Sequence, residues 1–248
     1  MNAEAVCNYL VEWLQSEVKK AGCKGVVLGI SGGVDSAVAA AIAQRAFPDR
    51  CLGLVLPCES SLEDMMDAEK VLAKFPMTYQ MIELDDVYQL LATQYESFIK
   101  RKGHLGQLLR ANIKPRLRMI TMYYAAQAMN YLVIGTTNKS ELLVGYTTKH
   151  GDSGVDLQLL ADLTKTEIYE LAHYLEVPQG IINKTPSGGL WAGQTDEGEI
   201  GLTYQQLDEY ILNGSGDEET IAKIQSMAKR NEHKRRMPPI ALIPEKYR

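Results

Sequence analysis

Apolar residues at Val6, Tyr9, Leu10, Trp13, Leu14 and Val18 recur at helical spacing, so the pattern predicts an amphipathic helix over Ala3–Lys20, stopped by Gly22. The periodicity then changes. Val26–Ile30 is apolar on both faces, as expected of a strand buried in a parallel sheet. An Ala-rich helix to about Ala46 follows, and then a second apolar strand at Cys51–Leu56. Ser60 and Glu63 fit a capping box that opens a helix to about Lys74. Thr78–Leu84 predicts a third strand, Val87–Lys100 a helix and Arg101–Gly106 a break. Leu108–Asn130 reads as one long helix with Pro115 in its first turn or at a kink, and Leu132–Gly135 as a fourth strand.

Strands alternating with helices predict an α/β fold: a doubly wound, mostly parallel sheet with helices on both faces. Nothing in residues 1–248 looks like a linker or a repeat, so a single domain is expected. The second half is less regular. Thr136–Asp162 is polar and lacks periodicity, and Pro178–Gly201 is long and glycine-containing, the kind of stretch that often carries function. Between them Thr164 and Glu167 form a second capping box for a helix through Leu175. Thr203–Leu212 and Glu218–Arg230 look helical.

Composition narrows the classes. The chain has 248 residues, 46% hydrophobic, with 26 Lys+Arg against 31 Asp+Glu. No apolar run reaches the ~18–20 residues of a membrane-spanning helix. The start lacks the basic and apolar regions of a secretory signal. The net charge of −5 argues against non-specific nucleic-acid binding. Cys7, Cys23, Cys51 and Cys58 show no zinc spacing and read as reduced thiols of a cytoplasmic protein.

The strongest local signal is Ser31-Gly32-Gly33-Val34-Asp35-Ser36, placed between a strand and a helix. Adjacent glycines let backbone amides turn inward, and the following helix N-terminus favours an anion. The loop matches neither the Walker A pattern nor G-x-G-x-x-G. Taken alone it is equally an ordinary strand–helix turn. Asp35 would repel phosphates unless a divalent cation lay between, although an acidic residue also suits a first helical turn.

The hexapeptide resembles the pyrophosphate loop of the N-type ATP pyrophosphatases. Further blocks follow in order: Asn112–Met119, Gly135–Glu141, Gly145–Asp152, Leu163–Thr166, Pro186–Trp191, Gln194–Glu197 and His233–Arg236. This series closely resembles the NAD synthetase family over roughly Gly25–Pro238, and the short segment before the loop leaves no room for a glutaminase domain like that of the glutamine-dependent forms. The resemblance implies an adenine-nucleotide α-hydrolase-like fold and an ammonia-dependent ligase. Such an enzyme adenylates the nicotinate carboxylate of deamido-NAD with ATP, releases pyrophosphate, and displaces AMP with ammonia.

The resemblance also implies roles. Gly29, Ile30, Ser31, Gly32, Gly33, Val34, Asp35, Ser36, Thr136, Lys165 and Ser187 match ATP-binding positions, and Asp35 and Glu141 match magnesium ligands. Asp35, Glu141 and Lys165 are therefore the expected catalytic set. Asp152 is a candidate for orienting or deprotonating ammonium. Arg116, Lys149, Asp156, His233 and Lys234 match deamido-NAD-binding positions. The family also implies a homodimer with the dinucleotide near its interface. The chain departs from the family pattern at Pro115 and in having no proline shortly after Asp156.

Residue by residue the plain reading is structural. Glu141, Lys149 and Lys165 would each pass for surface residues, and Lys229–Arg236 for a nucleic-acid patch or a solvated helix end. Arg116 and Arg118 lie two apart, so on a helix they face different ways. Two other readings stay open at this stage: another ATP pyrophosphatase acting on a different substrate, and a nucleotide-sensing module without turnover. The paired acids Asp35 and Glu141 disfavour the second.

Overall fold

The computed structural model describes residues 1–191 and 193–248. In chain order the elements are α1 (Ala3–Lys20), β1 (Gly25–Gly29), α2 (Val34–Ala46), β2 (Cys51–Val55), α3 (Leu62–Lys74), β3 (Thr78–Met81), α4 (Asp85–Phe98), α5 (Gly103–Ala111) and α6 (Ile113–Met129). They continue with β4 (Tyr131–Gly135), α7 (Lys139–Val144), β5 (Leu157–Gln158), α8 (Lys165–Tyr174), α9 (Gln179–Ile182), α10 (Asp196–Ile200), α11 (Tyr204–Asn213) and α12 (Glu218–Arg230).

The strands form one five-stranded sheet in the order β3-β2-β1-β4-β5, and every recorded pairing is parallel. Alternation along β1 divides the core. Val26 and Leu28 point to the side packed by α1, α2, α3 and α8, whereas Val27 joins Leu117, Met122 and Ala126 of α6. A third apolar cluster, with Val144, Leu202, Tyr204, Leu207 and Ile224, ties α7 to α11 and α12. The chain leaves β1 for β2 on one side and returns to β4 on the other. The crevice beyond the C-terminal ends of β1 and β4 is therefore the switch point where ligands bind in such sheets.

Several predicted boundaries move, for local reasons. The capping box belongs to Ser61 and Asp64: Ser61 Oγ accepts from Asp64 N at 3.0 Å and Asp64 Oδ2 accepts from Ser61 N at 3.3 Å. Ser60 is occupied elsewhere, accepting from Cys58 N. The long helix predicted over Leu108–Asn130 is two helices meeting at Asn112. Pro115 sits in the first turn of α6 and has no N–H for the Ala111 carbonyl, which opens the junction. The break at Arg101–Gly106 closes early, because α5 begins at Gly103. The stretches read as irregular contain α7, β5, α9 and α10, all too short to show a period. The third strand stops at Met81 and lies exposed at the sheet edge.

Candidate active site

A cavity of about 650 Å³ opens at the switch point. Its walls include Gly29–Ser31 and Gly33–Ser36 from the β1–α2 junction, Thr136 and Glu141 after β4, Asp152, Lys165, Ser187 and Lys234. Parts of the chain more than a hundred residues apart thus converge because β4 lies beside β1.

The loop earns its shape from packing. Gly32 has φ +80°, and a Cβ there would stand 2.7 Å from Asp64 O and 2.8 Å from Asp67 Cβ, so only glycine fits. Ser31 Oγ and Ser36 Oγ are 3.0 Å apart, Ser36 Oγ donates to Gly33 O at 2.9 Å, and Gly33 N donates to Ser31 Oγ at 3.2 Å. The two hydroxyls brace a short nest at the start of α2, where amides and the helix dipole suit phosphate.

Opposite the loop, charges are fixed by direct bonds. Lys165 Nζ, only 2% exposed as a residue, donates to Asp35 Oδ2 at 2.5 Å. Asn138 Nδ2 donates to Asp35 Oδ1 at 3.0 Å, while Asn138 Oδ1 caps α7 by accepting from Glu141 N at 3.0 Å. Asn138 therefore links the two acidic residues. Glu141 Oε2 accepts from Asn138 N, and Tyr204 Oη donates to Glu141 Oε1 at 3.0 Å. Burial and the neighbouring Asp35 push the Glu141 carboxyl up to about 8. The Lys165 ammonium is opposed by burial but raised overall by Asp35 and Glu141, so it stays charged.

A polar chain extends from this pair. Tyr204 Oη also lies 2.9 Å from Asp196 Oδ2, Tyr146 Oη lies 3.1 Å from Asp196 Oδ1 and 2.8 Å from Glu199 Oε2, and Gln194 Nε2 donates to Glu199 Oε2 at 2.6 Å. Asp196 is buried and its carboxyl is raised chiefly by that burial. Asp208 is buried too, and accepts from Ser140 Oγ at 2.5 Å, Thr166 Oγ1 at 2.7 Å and Thr166 N at 2.8 Å. It clamps the first turns of α7 and α8, which carry Glu141 and Lys165.

The other predicted positions divide. Asp152 lines the cavity, its Oδ1 accepts from Thr148 N at 2.8 Å, and the protein around it raises its carboxyl. Arg116, Lys149 and His233 lie together: Arg116 donates to Lys149 O at 3.3 and 3.2 Å, and Lys149 Nζ is 3.4 Å from His233 Nδ1. Lys234 reaches inward to Gly145 O at 2.7 Å and Thr147 O at 2.8 Å. Asp156 is elsewhere engaged, accepting from Val133 N at 2.8 Å and from Tyr123 Oη at 3.0 Å. Leu157–Gln158, just after Asp156, pair with β4.

Magnesium fits the donor set present. Among the described residues no group of three or more His, Cys, Asp and Glu could hold a metal alone. Asp35 and Glu141 do offer adjacent carboxylates beside a phosphate nest, and magnesium binds through one or two carboxylates plus phosphate oxygens.

The geometry leads to known proteins. A sequence model of NAD synthase matches residues 6–238. The chain belongs to the NAD synthase family. It is 60% identical over 248 residues, the whole of both chains, to the NH(3)-dependent NAD(+) synthetase of Syntrophomonas wolfei subsp. wolfei. With that of Carboxydothermus hydrogenoformans it shares 44% identity over 98% of this chain and 99% of the relative. Among solved structures it resembles NMN synthetase from Francisella tularensis, with a TM-score of 0.90 and 34% identity over 99% of both chains. It also resembles the NH3-dependent NAD synthetase of Campylobacter jejuni, with a TM-score of 0.78 and 30% identity over 98% of this chain and 100% of that one. No helix among the described residues is long and apolar enough to cross a membrane.

Proposed function

We propose that this NAD synthase family member is an ammonia-dependent NAD synthetase, converting deamido-NAD to NAD while ATP is cleaved to AMP and pyrophosphate. The observation that carries the reading is the opposition of the Ser31–Ser36 nest to the Asp35–Asn138–Glu141 bridge and Lys165 within one cavity. Its full-length similarity to NH(3)-dependent relatives supports free ammonia as the nitrogen donor and residues 1–248 as one working unit.

A carboxylate is a poor acceptor for ammonia until one of its oxygens becomes part of a leaving group. The reaction brings an anion to a triphosphate, so charge neutralisation and alignment do most of the work. The nest amides and the Ser31 and Ser36 hydroxyls hold the departing pyrophosphate. Lys165, kept cationic and aimed by Asp35, faces the phosphates, with Thr136 and Ser187 lining the nucleotide's share of the cavity. Asp35 and Glu141 would hold magnesium, which when bound neutralises charge on the phosphate oxygens. Asp152 orients ammonium and takes its proton. Arg116, Lys149, His233 and Lys234 bind the dinucleotide at the cavity mouth, with Asp156 nearer the sheet edge.

We infer a homodimer in the cytoplasm. Val87, Leu90 and Phe98 of α4, Leu105 and Leu109 of α5, and Ile120 and Tyr124 of α6 are exposed apolar residues on packed neighbours.

Incubation with deamido-NAD, ATP, Mg²⁺ and ammonium should yield NAD, AMP and pyrophosphate in equal amounts; ADP and phosphate would defeat the adenylate route. The likeness to an NMN synthetase supports one rival, amidation of the mononucleotide. Competition between nicotinate mononucleotide and deamido-NAD decides it by kcat/KM.

A further inference from the structure

Arg118 lines the cavity wall and has no part in the roles above. It lies on α6 two residues beyond Arg116, so the helix turns it about 200° away from that exposed side chain. Arg116 donates to the Lys149 carbonyl, whereas Arg118 lines the cavity. Arg118 Nε donates to Leu56 O at 3.0 Å, and Nη2 donates to Ser60 Oγ at 3.4 Å. A guanidinium has more N–H groups than these bonds use, and among the described residues Nη1 meets no acceptor.

Arg118 also forms no ion pair among the described residues, although Lys165 and Lys184 in the same wall are both paired with aspartates. Its spare N–H groups are not sealed inside the protein. Among the described residues the one buried side-chain N or O atom without a partner is Gln158 Oε1, and Arg118 lines the cavity, so its free edge is open to that space. The surrounding protein pulls its pKa below the usual guanidinium value, with Cys58, Asp152 and Asp64 acting weakly the other way. Arginine nevertheless remains charged, so a half-buried cation faces the cavity without a counter-ion among the described residues. The two bonds to Leu56 O and Ser60 Oγ lock the fork in place, which is the preorganisation that recognition of a planar oxyanion needs.

We propose that Arg118 binds an anionic oxygen group of a substrate inside the cavity, gripping a carboxylate or phosphate through its free N–H edge. The proposal rests on the ligase reading, which brings both groups to this space: a phosphate of ATP and the carboxylate of the pyridine nucleotide. Arg118 there screens the repulsion between them and fixes the angle of approach.

The test uses Arg118→Gln and Arg118→Lys in the full chain, checked first by thermal melting. Affinities for ATP alone, deamido-NAD alone and NAD alone are measured by calorimetry, followed by kcat and KM for each substrate. Arg118→Gln is expected to lose at least about tenfold in kcat/KM, and Arg118→Lys to recover part of it without the paired geometry. Weakened ATP binding assigns the phosphate. Weakened deamido-NAD binding with unchanged NAD binding assigns the carboxylate, since the two ligands differ only there. Kinetics and affinities within about twofold of wild type in a normally melting Arg118→Gln would overturn the proposal. Should Arg118→Gln fail to fold, wild-type kinetics in Arg118→Lys would overturn it as well. A wild-type protein that binds ATP but makes no NAD would instead sink the ligase reading, leaving the ATP arm for Arg118 intact.

Discussion

Lys165 Nζ lies 2.5 Å from Asp35 Oδ2, so a lysine at the start of α8 and an aspartate at the start of α2 hold each other across the cavity floor. The pair is poorly solvated, with side-chain exposures of 2% and 18%, and either partner alone would be an uncompensated charge. Lys165→Met should therefore cost on the order of 3–5 kcal/mol of stability. It should also abolish most turnover. The double variant with Asp35→Asn should be more stable than the sum of the single losses, as a denaturant cycle would reveal.

Glu141 makes the site pH-dependent. Its carboxyl is pushed up to about 8, so the folded chain keeps a proton that an unfolded carboxyl has already shed. In the absence of metal this group's contribution to stability is full below the ordinary carboxylate range and declines as pH rises towards 8. Glu141→Gln should flatten that part of the melting profile. Magnesium competes with the same proton, so its affinity should climb over the same interval; titrations at constant ionic strength that show no rise would count against this assignment.

Lys184 ties the Pro186–Leu190 wall to α3, donating to Asp64 Oδ1 at 2.8 Å and Asp67 Oδ2 at 2.7 Å. Both aspartates are held below their usual carboxylate range by hydrogen bonds that outweigh burial. Lys184→Met should raise KM for ATP several-fold, about threefold to tenfold, with a smaller change in kcat. Limited proteolysis should then cut this segment faster than in wild type.

Ile120 and Tyr124 are 59% and 79% exposed one helical turn apart on α6. Charged residues at both positions should convert a dimer to monomer in sedimentation velocity without lowering the melting temperature of the isolated subunit. An unchanged sedimentation coefficient would place the interface elsewhere.

Much of this architecture was legible because its signals are local. Buried strands announce themselves as short apolar runs, and the Thr164–Glu167 capping box forms where expected, with Thr164 Oγ1 accepting from Glu167 N. The nest after β1 was equally visible from two adjacent glycines. What escaped were partners joined only by folding. Tyr204 looked like the start of an ordinary helix, yet its hydroxyl meets both Glu141 and Asp196. Asp208 sits among polar residues with no mark of burial, and nothing in the sequence singles out Asn138 within the Gly135–Glu141 block as the link between Asp35 and Glu141. For the α6 arginines, spacing established opposite faces but could not say which face looks inward; that depends on where α6 crosses the sheet.

The order of strands also sets when this centre can exist during synthesis. A nascent chain ending before residue 135 contains the whole glycine turn and strands β1 to β3, but neither Glu141 nor Lys165. Half-made polypeptides emerging from the ribosome thus carry the phosphate turn without the acid and the lysine that face it, and the enzyme arms itself only once its latter half arrives.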